Sequence, residues 1–154
     1  MTEHTIAEIL TKRKLTLAIA ESCTGGLVCD ALTNKSGSSK YFRLGIVAYA
    51  NESKTRLLGV PASILKKHGA VSKETALIMA KHIKHLGQAN IGLAITGIAG
   101  PTGSSLAKPV GTVFIAVSIG HHDYYKKYAF AGNRLTIKKR AKDAGLELLY
   151  QCLE

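Results

Sequence analysis

The chain has few of the features that characterise secreted or membrane-spanning proteins. Of its 154 residues three are cysteines, Cys23, Cys29 and Cys152, and no two of them form a Cys-x-x-Cys pair. An odd count of this kind argues against a disulfide framework. No apolar run approaches the ~20 residues needed to cross a membrane, and residues 1–8 lack the basic and apolar regions of a signal peptide. We therefore expect a cytoplasmic protein with one globular domain over residues 1–154.

Acidic residues are scarce and tryptophan is absent. Ten Asp and Glu residues against 21 Lys and Arg residues give a formal net charge of +11, which suits a nucleic acid, another polyanion or a phosphate-bearing substrate. The lysines are scattered, however, and the one dense cluster, Lys138–Lys142, is typical of a solvated helix face. The tyrosines that could stack on bases, Tyr124, Tyr125 and Tyr128, fall in one predicted strand. A basic nucleic-acid-associated module is therefore the alternative hypothesis.

Helical and strand-like segments alternate along the chain. Apolar residues at helical spacing predict helices over 2–13, 24–32, 52–58, 61–68 and 72–86, and a last helix that begins at Asn133 or Thr136. Near-continuous apolar runs predict strands over 15–20, 45–50, 91–95, 111–119 and 124–130. The alternation favours a layered α/β domain, and the short connection between the last two strands makes that pair antiparallel. The predicted sheet is therefore mixed.

The most informative segment is Ala20–Gly26, where a buried strand ends in small and hydroxylic residues before a helix. A helix start presents unpaired N–H groups that attract anions. Gly25 and Gly26 lack a Cβ and let a ligand approach the backbone closely. Ser22 and Cys23 place two nucleophiles beside that anion site. The segment predicts part of an active site for a phosphorylated small molecule, although such junctions are also ordinary helix caps.

Three more polar clusters, Gly37–Ser39, Tyr49–Lys54 and Thr96–Gly103, lie where an apolar run meets a loop. Lys54 falls at a predicted helix start, where a positive charge is unfavourable. If Lys54 is buried, its pKa falls and it can act as the general base for a serine, whereas a solvated lysine is the simpler alternative. The Gly-x-x-Gly-x-x-Gly spacing of Gly97–Gly103 matches neither a dinucleotide-binding nor a P-loop fingerprint.

The histidines and Cys23 are weaker candidates for chemistry. His82 and His85 share a predicted helix face, and His121 and His122 are adjacent, but no cysteine or carboxylate completes a metal-ligand set. A thiol at a helix start ionises readily. No histidine lies near Cys23 in sequence to act as its base, so we rank Cys23 below the serines.

Seven segments, in this order, resemble the C-terminal domain family of the competence/damage-inducible protein CinA, whose stand-alone members are nicotinamide-mononucleotide amidohydrolases. The segments are Ala20–Gly26, Gly37–Ser39, Tyr49–Lys54, His68–Ser72, Thr96–Pro101, Lys108–Val113 and Phe130–Arg134, and the resemblance spans nearly the whole chain. Two departures are notable. Members usually have Gly-Asp-Arg where this chain has Gly132–Arg134, and many have Pro-Asp-Gly-Gly where it has Pro101–Ser104.

The resemblance implies a three-layer α/β/α sandwich and hydrolysis of nicotinamide mononucleotide to nicotinate mononucleotide and ammonia in pyridine-nucleotide salvage. It implies Ser39 as the nucleophile and Lys54 as the base, and Ser22 stays the alternative nucleophile. Tyr49 would hold the lysine or relay a proton, and Arg134 would clamp the phosphate. The substrate-binding positions implied by the resemblance are Thr24, Gly25, Gly26, Thr96, Gly97 and Arg134.

A phosphorylated pyridine nucleotide is accordingly the expected small-molecule partner, with no cofactor, no metal ion, no membrane and no nucleic acid. A homo-oligomer is left open. A domain that keeps the pocket but only binds a nucleotide is a further alternative, although the presence of both Ser39 and Lys54 argues against it.

Overall fold

The computed structural model describes residues 2–154, which form a five-stranded mixed sheet between two layers of helices. The strands are β1 (Leu17–Glu21), β2 (Phe42–Val47), β3 (Ile91–Gly97), β4 (Thr112–Ile119) and β5 (His122–Ala129). The helices are α1 (Thr2–Arg13), α2 (Leu27–Thr33), α3 (Asn51–Leu58), α4 (Ala62–His68), α5 (Lys73–Leu86) and α6 (Arg134–Leu153), and a 3₁₀ turn spans Ser38–Lys40. Across residues 2–154, no helix is both long and apolar enough to cross a bilayer.

The strand order is β2-β1-β3-β4-β5, with β1 parallel to both β2 and β3. The last three strands pair antiparallel, and β4 turns into β5 through Gly120, whose φ of +57° suits a tight hairpin. The antiparallel pairing predicted for the last two strands is confirmed. Because β1, β2 and β3 run in the same direction, their carboxyl ends meet at one edge of the sheet, where α/β folds place their ligands.

The two faces of the sheet carry side chains of different size. Large aliphatic side chains such as Ile19 and Leu93 face α1, α2 and α6 in one core cluster. Small side chains such as Ala94 face α3, α4 and α5 in the other. The small residues let α5 lie close to the sheet, and a Cβ on Gly92 would lie 2.0 Å from the Ala80 carbonyl oxygen. The predicted three-layer α/β/α sandwich is confirmed.

Predicted helix starts are confirmed where a side chain caps the helix. Ser72 Oγ accepts a hydrogen bond from Thr75 N (3.2 Å) at the start of α5. At the start of α6, Asn133 Oδ1 accepts from Thr136 N (2.9 Å), which settles the two predicted starts in favour of Asn133 as the cap. The Asn133 side chain therefore caps the helix without adding a negative charge.

Several predicted boundaries are wrong at the loops around the site. The helix predicted from residue 24 begins at Leu27, because Gly25 and Gly26 take φ values of +62° and +105° that no α-helix contains. The strand predicted over 45–50 is β2, which spans 42–47, and Tyr49 lies in the connection that follows it. The 3₁₀ turn after α2 was not predicted, since three residues leave no periodicity to detect.

Candidate active site

Ser22 and Lys54 meet at the carboxyl edge of the sheet. Ser22 directly follows β1, and Lys54 lies in the first turn of α3, which the β2–α3 connection brings over the end of β1. Lys54 Nζ lies 3.1 Å from Ser22 Oγ, 2.8 Å from the Ala48 carbonyl oxygen and 3.1 Å from the Tyr49 carbonyl oxygen. A neutral amine at this position can donate to the two carbonyl oxygens and accept from the Ser22 hydroxyl, so it is held against the serine.

Burial of Lys54 favours its neutral form. The side chain is 1% exposed, and Ser22 is 7% exposed. Burial lowers the pKa of Lys54 below its ordinary value, because the uncharged amine loses less solvation than the ammonium. Within residues 2–154 no carboxylate forms an ion pair with it, and the first turn of a helix disfavours a positive charge. The alternative of a solvated lysine is excluded by this burial.

Glu21 holds the turn that carries Ser22. It is the last residue of β1 and is fully buried. One carboxylate oxygen accepts from Gly26 N (2.9 Å) and the other from Cys29 N (2.8 Å), so the side chain bridges the end of β1 to the start of α2. The start of α2 is thus occupied by an anion of the protein itself. The backbone N–H of Gly26, a predicted substrate-binding residue, is therefore already bonded within the protein.

Ser39 lies at the opposite edge of the sheet from Lys54. It is exposed in the 3₁₀ turn that precedes β2, and β2 begins beside Leu17 and ends beside Glu21. The strand advances about 16 Å between those two points, and Lys54 lies beyond its far end. The predicted pairing of Ser39 with Lys54 is not present within the chain, because parallel β1 and β2 carry the two serine clusters to opposite ends. Ser22 is the hydroxyl that the fold brings to the lysine.

Tyr49 and Arg134 meet beside the Ser22–Lys54 pair. Arg134 Nη2 donates to the Tyr49 hydroxyl (2.6 Å), and its Nη1 donates to the Gly100 carbonyl oxygen (2.7 Å). Arg134 therefore ties the first residue of α6 to the β2–α3 connection and to the loop after β3. Tyr49 holds Lys54 through its backbone carbonyl, whereas its hydroxyl is engaged by Arg134.

Thr24 is buried without a hydrogen-bond partner for its hydroxyl among the residues that the structure describes. An unpaired buried hydroxyl costs free energy, about 1–3 kcal/mol. Its neighbour Gly25 is exposed, and its backbone forms part of the surface of the turn. Both residues stay candidates for binding the substrate, since they flank the same turn as Ser22.

Thr96 and Gly97 end β3 on the other side of Ser22. Thr96 is buried and its Oγ1 donates to the Ala70 carbonyl oxygen (2.8 Å), which fixes the α4–α5 connection to the sheet. A Cβ on Gly97 would lie 3.0 Å from Cys23 Sγ, so this glycine makes room for the cysteine. The two residues therefore pack against the segments around the Ser22 turn, and their direct contact with a substrate stays a prediction.

Cys23 does not have the environment of a nucleophile. Burial raises the pKa of its thiol to about 11, because the thiolate would lose its solvation. The thiol also packs against Gly97 behind the turn. The ranking of Cys23 below the serines agrees with this environment.

Two residues of the site were not identified as functional from the sequence. Glu21 was noted only as part of the Ala20–Gly26 segment, although an acidic residue that ends an apolar strand next to a glycine pair is a usable signal. Lys138 was assigned with its neighbours to a solvated helix face. The structure makes Lys138 half-buried while Lys139 and Arg140 are exposed, and Lys138 lies against Gly25.

The arrangement is chemically competent for acyl transfer. A hydroxyl lies within hydrogen-bond distance of an amine whose neutral form is favoured, and cationic side chains flank the turn. This is the relation between nucleophile and base that activates a serine.

Comparison with known proteins assigns the chain to a family. Residues 1–153 match the family model described as the CinA C-terminal domain. A CinA-like protein of Syntrophus aciditrophicus is 52% identical over 152 residues, which cover 98% of this chain and 36% of that protein. A CinA-like protein of Geobacter sulfurreducens is 49% identical over 133 residues, which cover 86% of this chain and 32% of that protein. The chain thus spans about a third of the length of these curated relatives.

Solved structures agree with the sequence matches. The competence/damage inducible protein CihA from Agrobacterium tumefaciens superposes with a TM-score of 0.95 at 38% identity, over 99% of this chain and 93% of that one. A competence-damaged protein (CinA) superfamily protein from Escherichia coli superposes with a TM-score of 0.93 at 32% identity, over 99% and 90% of the two chains. These two proteins therefore share the fold over 99% of this chain.

Proposed function

The chain belongs to the CinA C-terminal domain family, and on that premise we propose that it hydrolyses a carboxamide, with Ser22 as the nucleophile and Lys54 as the general base. The observation that carries the proposal is the 3.1 Å approach of Lys54 Nζ to Ser22 Oγ at a buried position without a carboxylate partner in the described residues. A surface lysine would be protonated and could not accept a proton. Because the fold brings Ser22 and not Ser39 to Lys54, we reassign the nucleophile expected at Ser39 to Ser22.

The proposed reaction has two halves. Neutral Lys54 accepts the proton of Ser22 as its oxygen attacks the carboxamide carbon, and the resulting ammonium then gives that proton to the amide nitrogen, which leaves as ammonia. In the second half, water attacks the acyl-serine while Lys54 accepts a proton from it, and Lys54 then returns that proton to the Ser22 oxygen as the acyl–oxygen bond breaks. Ser22 is regenerated and the product is a carboxylate. The carbonyls of Ala48 and Tyr49 keep the amine in place through both halves.

We infer that the substrate is nicotinamide mononucleotide, as the family resemblance implies, and that the product is nicotinate mononucleotide. The cationic surroundings of the turn support a substrate with a negative group, since Lys138 lies against Gly25 and the chain carries a net charge of +11. The proposed setting is pyridine-nucleotide salvage in the cytoplasm.

Ammonia release tests the proposal directly. Purified protein is incubated with nicotinamide mononucleotide, nicotinamide riboside or nicotinamide, and ammonia and the acid product are quantified. We expect fast turnover of the mononucleotide and none by Ser22→Ala, with Ser36→Ala, an exposed serine on the α2–β2 connection, as the matched control. Tight binding of the mononucleotide without ammonia release would favour the nucleotide-binding alternative instead.

The same preparation tests the nucleic-acid alternative. Binding to duplex and single-stranded DNA is titrated with salt, because neutralisation of several phosphates gives a steep dependence of affinity on salt concentration. We expect weak binding. Tight binding with a steep slope, in a protein that releases no ammonia, would contradict the amidohydrolase proposal.

A further inference from the structure

Lys138 places a cation directly over the turn that carries Ser22. It lies in the second turn of α6, and a Cβ on Gly25 would lie 3.4 Å from Lys138 Nζ and 3.9 Å from Lys138 Cε. Its charge also acts on Cys23, where it favours the thiolate. The ammonium therefore lies beside Gly25, which is exposed and follows the proposed nucleophile Ser22 by three residues.

The charge of Lys138 has no partner among the residues that the structure describes. Although the side chain is half-buried, it forms no ion pair and no hydrogen bond within residues 2–154. Lys142, one helical turn further on, forms ion pairs with Glu3 (3.5 Å) and Asp143 (2.5 Å). A partly desolvated ammonium without a counter-ion is stabilised by any anion that binds beside it.

A groove leads away from this ammonium between α2 and α6. It has a volume of about 530 Å³, and its lining includes Leu27, Leu135 and Lys138. Two acidic residues, Glu3 and Asp30, also line it, and Glu3 is paired with Lys142. Because Lys138 lies against Gly25 and also lines this mixed polar and apolar groove, a substrate whose reacting carbon lies at Ser22 can reach Lys138 by extending past Gly25.

Arg134 and Lys138 lie one turn apart on α6 and have different tasks. Arg134 is committed to Tyr49 and Gly100 through both terminal nitrogens. Lys138 makes no such contact. Of these two cations beside the turn, Lys138 is the one free to bind an anion.

We propose that Lys138 determines the specificity of the site for an anionic substituent, a phosphomonoester carried by the carboxamide substrate. The proposal rests on the function proposed above, and it assigns the phosphate to Lys138 in place of the N–H groups at the start of α2, which Glu21 occupies. Lys138 is a binding residue and takes no part in the proton transfers.

The experiment measures kcat/KM for nicotinamide mononucleotide and for nicotinamide riboside, which lacks the phosphate, in Lys138→Gln and Lys138→Arg. We expect Lys138→Gln to lower kcat/KM for the mononucleotide by about tenfold to a hundredfold, as the loss of a charged hydrogen bond does, and to leave the riboside unchanged. Lys138→Arg should retain most of the discrimination. Lys126→Gln, which removes the same charge from exposed β5 at the far side of the sheet, should change neither value.

Unchanged discrimination in Lys138→Gln would overturn the proposal, and so would an equal effect of Lys126→Gln, since net charge alone would then explain it. If the wild type releases no ammonia, the proposed function fails by itself. In that case the role of Lys138 is tested by calorimetric binding of the same two ligands. We expect the wild type to bind the phosphorylated ligand with the lower Kd and Lys138→Gln to lose this preference. A wild type without that preference overturns the role of Lys138.

Discussion

The two edges of the sheet carry similar residues in very different surroundings. At the carboxyl edge Ser22 and Lys54 are buried and in contact, and Glu21 holds their turn with two hydrogen bonds. At the amino edge Ser39 is exposed, next to an open cavity of about 480 Å³ lined in part by Lys12, Lys35 and Lys40. Both edges offer a serine, a glycine turn and lysines, but desolvation and contact occur only at the first.

The difference shows that burial, more than composition, separates the environment of Lys54 from that of the lysines at the amino edge. Lys35 at the amino edge lies 3.0 Å from His4 Nδ1 and 4.0 Å from Glu8 Oε1, in contact with solvent. Water and a carboxylate both stabilise a charged ammonium there. At the carboxyl edge the amine of Lys54 meets two backbone carbonyls and Ser22, and among residues 2–154 it has no carboxylate partner.

The largest expected effect tests directly which of the two edges of the sheet carries the chemistry. Ser22→Ala and Lys54→Ala should each lower kcat by at least about a thousandfold, and the double variant should be scarcely worse, because residues that act as one unit are not additive. Ser39→Ala should keep kcat within about twofold of wild type, since its hydroxyl contacts no residue of the catalytic pair. Steady-state ammonia release measures all four. A dead Ser39→Ala together with an active Ser22→Ala would move the chemistry to the amino edge.

The pH dependence sharpens the contrast between the two kinds of lysine. Because burial depresses the pKa of Lys54, the free enzyme gains its base as pH rises, and kcat/KM should fall about tenfold per pH unit below that pKa. Lys54→Arg should be folded and inactive, since a guanidinium stays protonated. A flat acid limb, or an active Lys54→Arg, would contradict the assignment.

The same titration predicts how stability changes with pH. A depressed pKa means that the unfolded chain binds the proton more readily than the folded one, so the free energy of unfolding rises with pH between the folded pKa and 10.5. Denaturant titrations across this window should show that the free energy of unfolding of the wild type rises with pH. The rise should be smaller in Lys54→Met, which lacks the titrating amine. An unchanged slope in the variant would show that Lys54 is solvated in solution.

Glu21→Gln tests what holds the turn at the carboxyl edge. The amide has one oxygen where the carboxylate has two, and its NH₂ group would face an N–H donor at Gly26 or Cys29. We expect the free energy of unfolding to fall by about 1–3 kcal/mol, measured by urea denaturation, together with a lower kcat. Glu52→Gln, the same change at an exposed position of α3, should have little effect. Equal stability of the two variants would deny Glu21 this role.

The smallest effect concerns Tyr49. Its carbonyl supports Lys54 and its hydroxyl accepts from Arg134, so Tyr49→Phe should raise KM several-fold and change kcat little. The acid limb of the pH profile should stay in place. A shifted limb with a large loss of kcat would instead support the proton relay.

Much of the fold could be predicted because local patterns dominate it. The apolar runs of β1, β3 and β4 and the caps at Ser72 and Asn133 are properties of short segments, and all appear in the structure. The boundaries failed at Gly25 and Gly26, where positive φ values and the Glu21 carboxylate delay the helix start. Both causes lie in residues that precede the helix, so the periodicity of the helix residues does not reveal them.

The sequence alone determined the layered α/β class and the mixed sheet, and it pointed to the Ala20–Gly26 turn as a candidate site and to Lys54 as a candidate base. These follow from periodicity, glycine geometry and the rarity of a lysine at a helix start. Tertiary structure alone decided that Lys54 meets Ser22 and not Ser39, that Glu21 fills the start of α2, and that Lys138 lies beside Gly25. The physical reason is that strand direction and helix packing determine which distant segments come together, and burial then shifts the pKa of the groups that they bring, as it lowers that of Lys54.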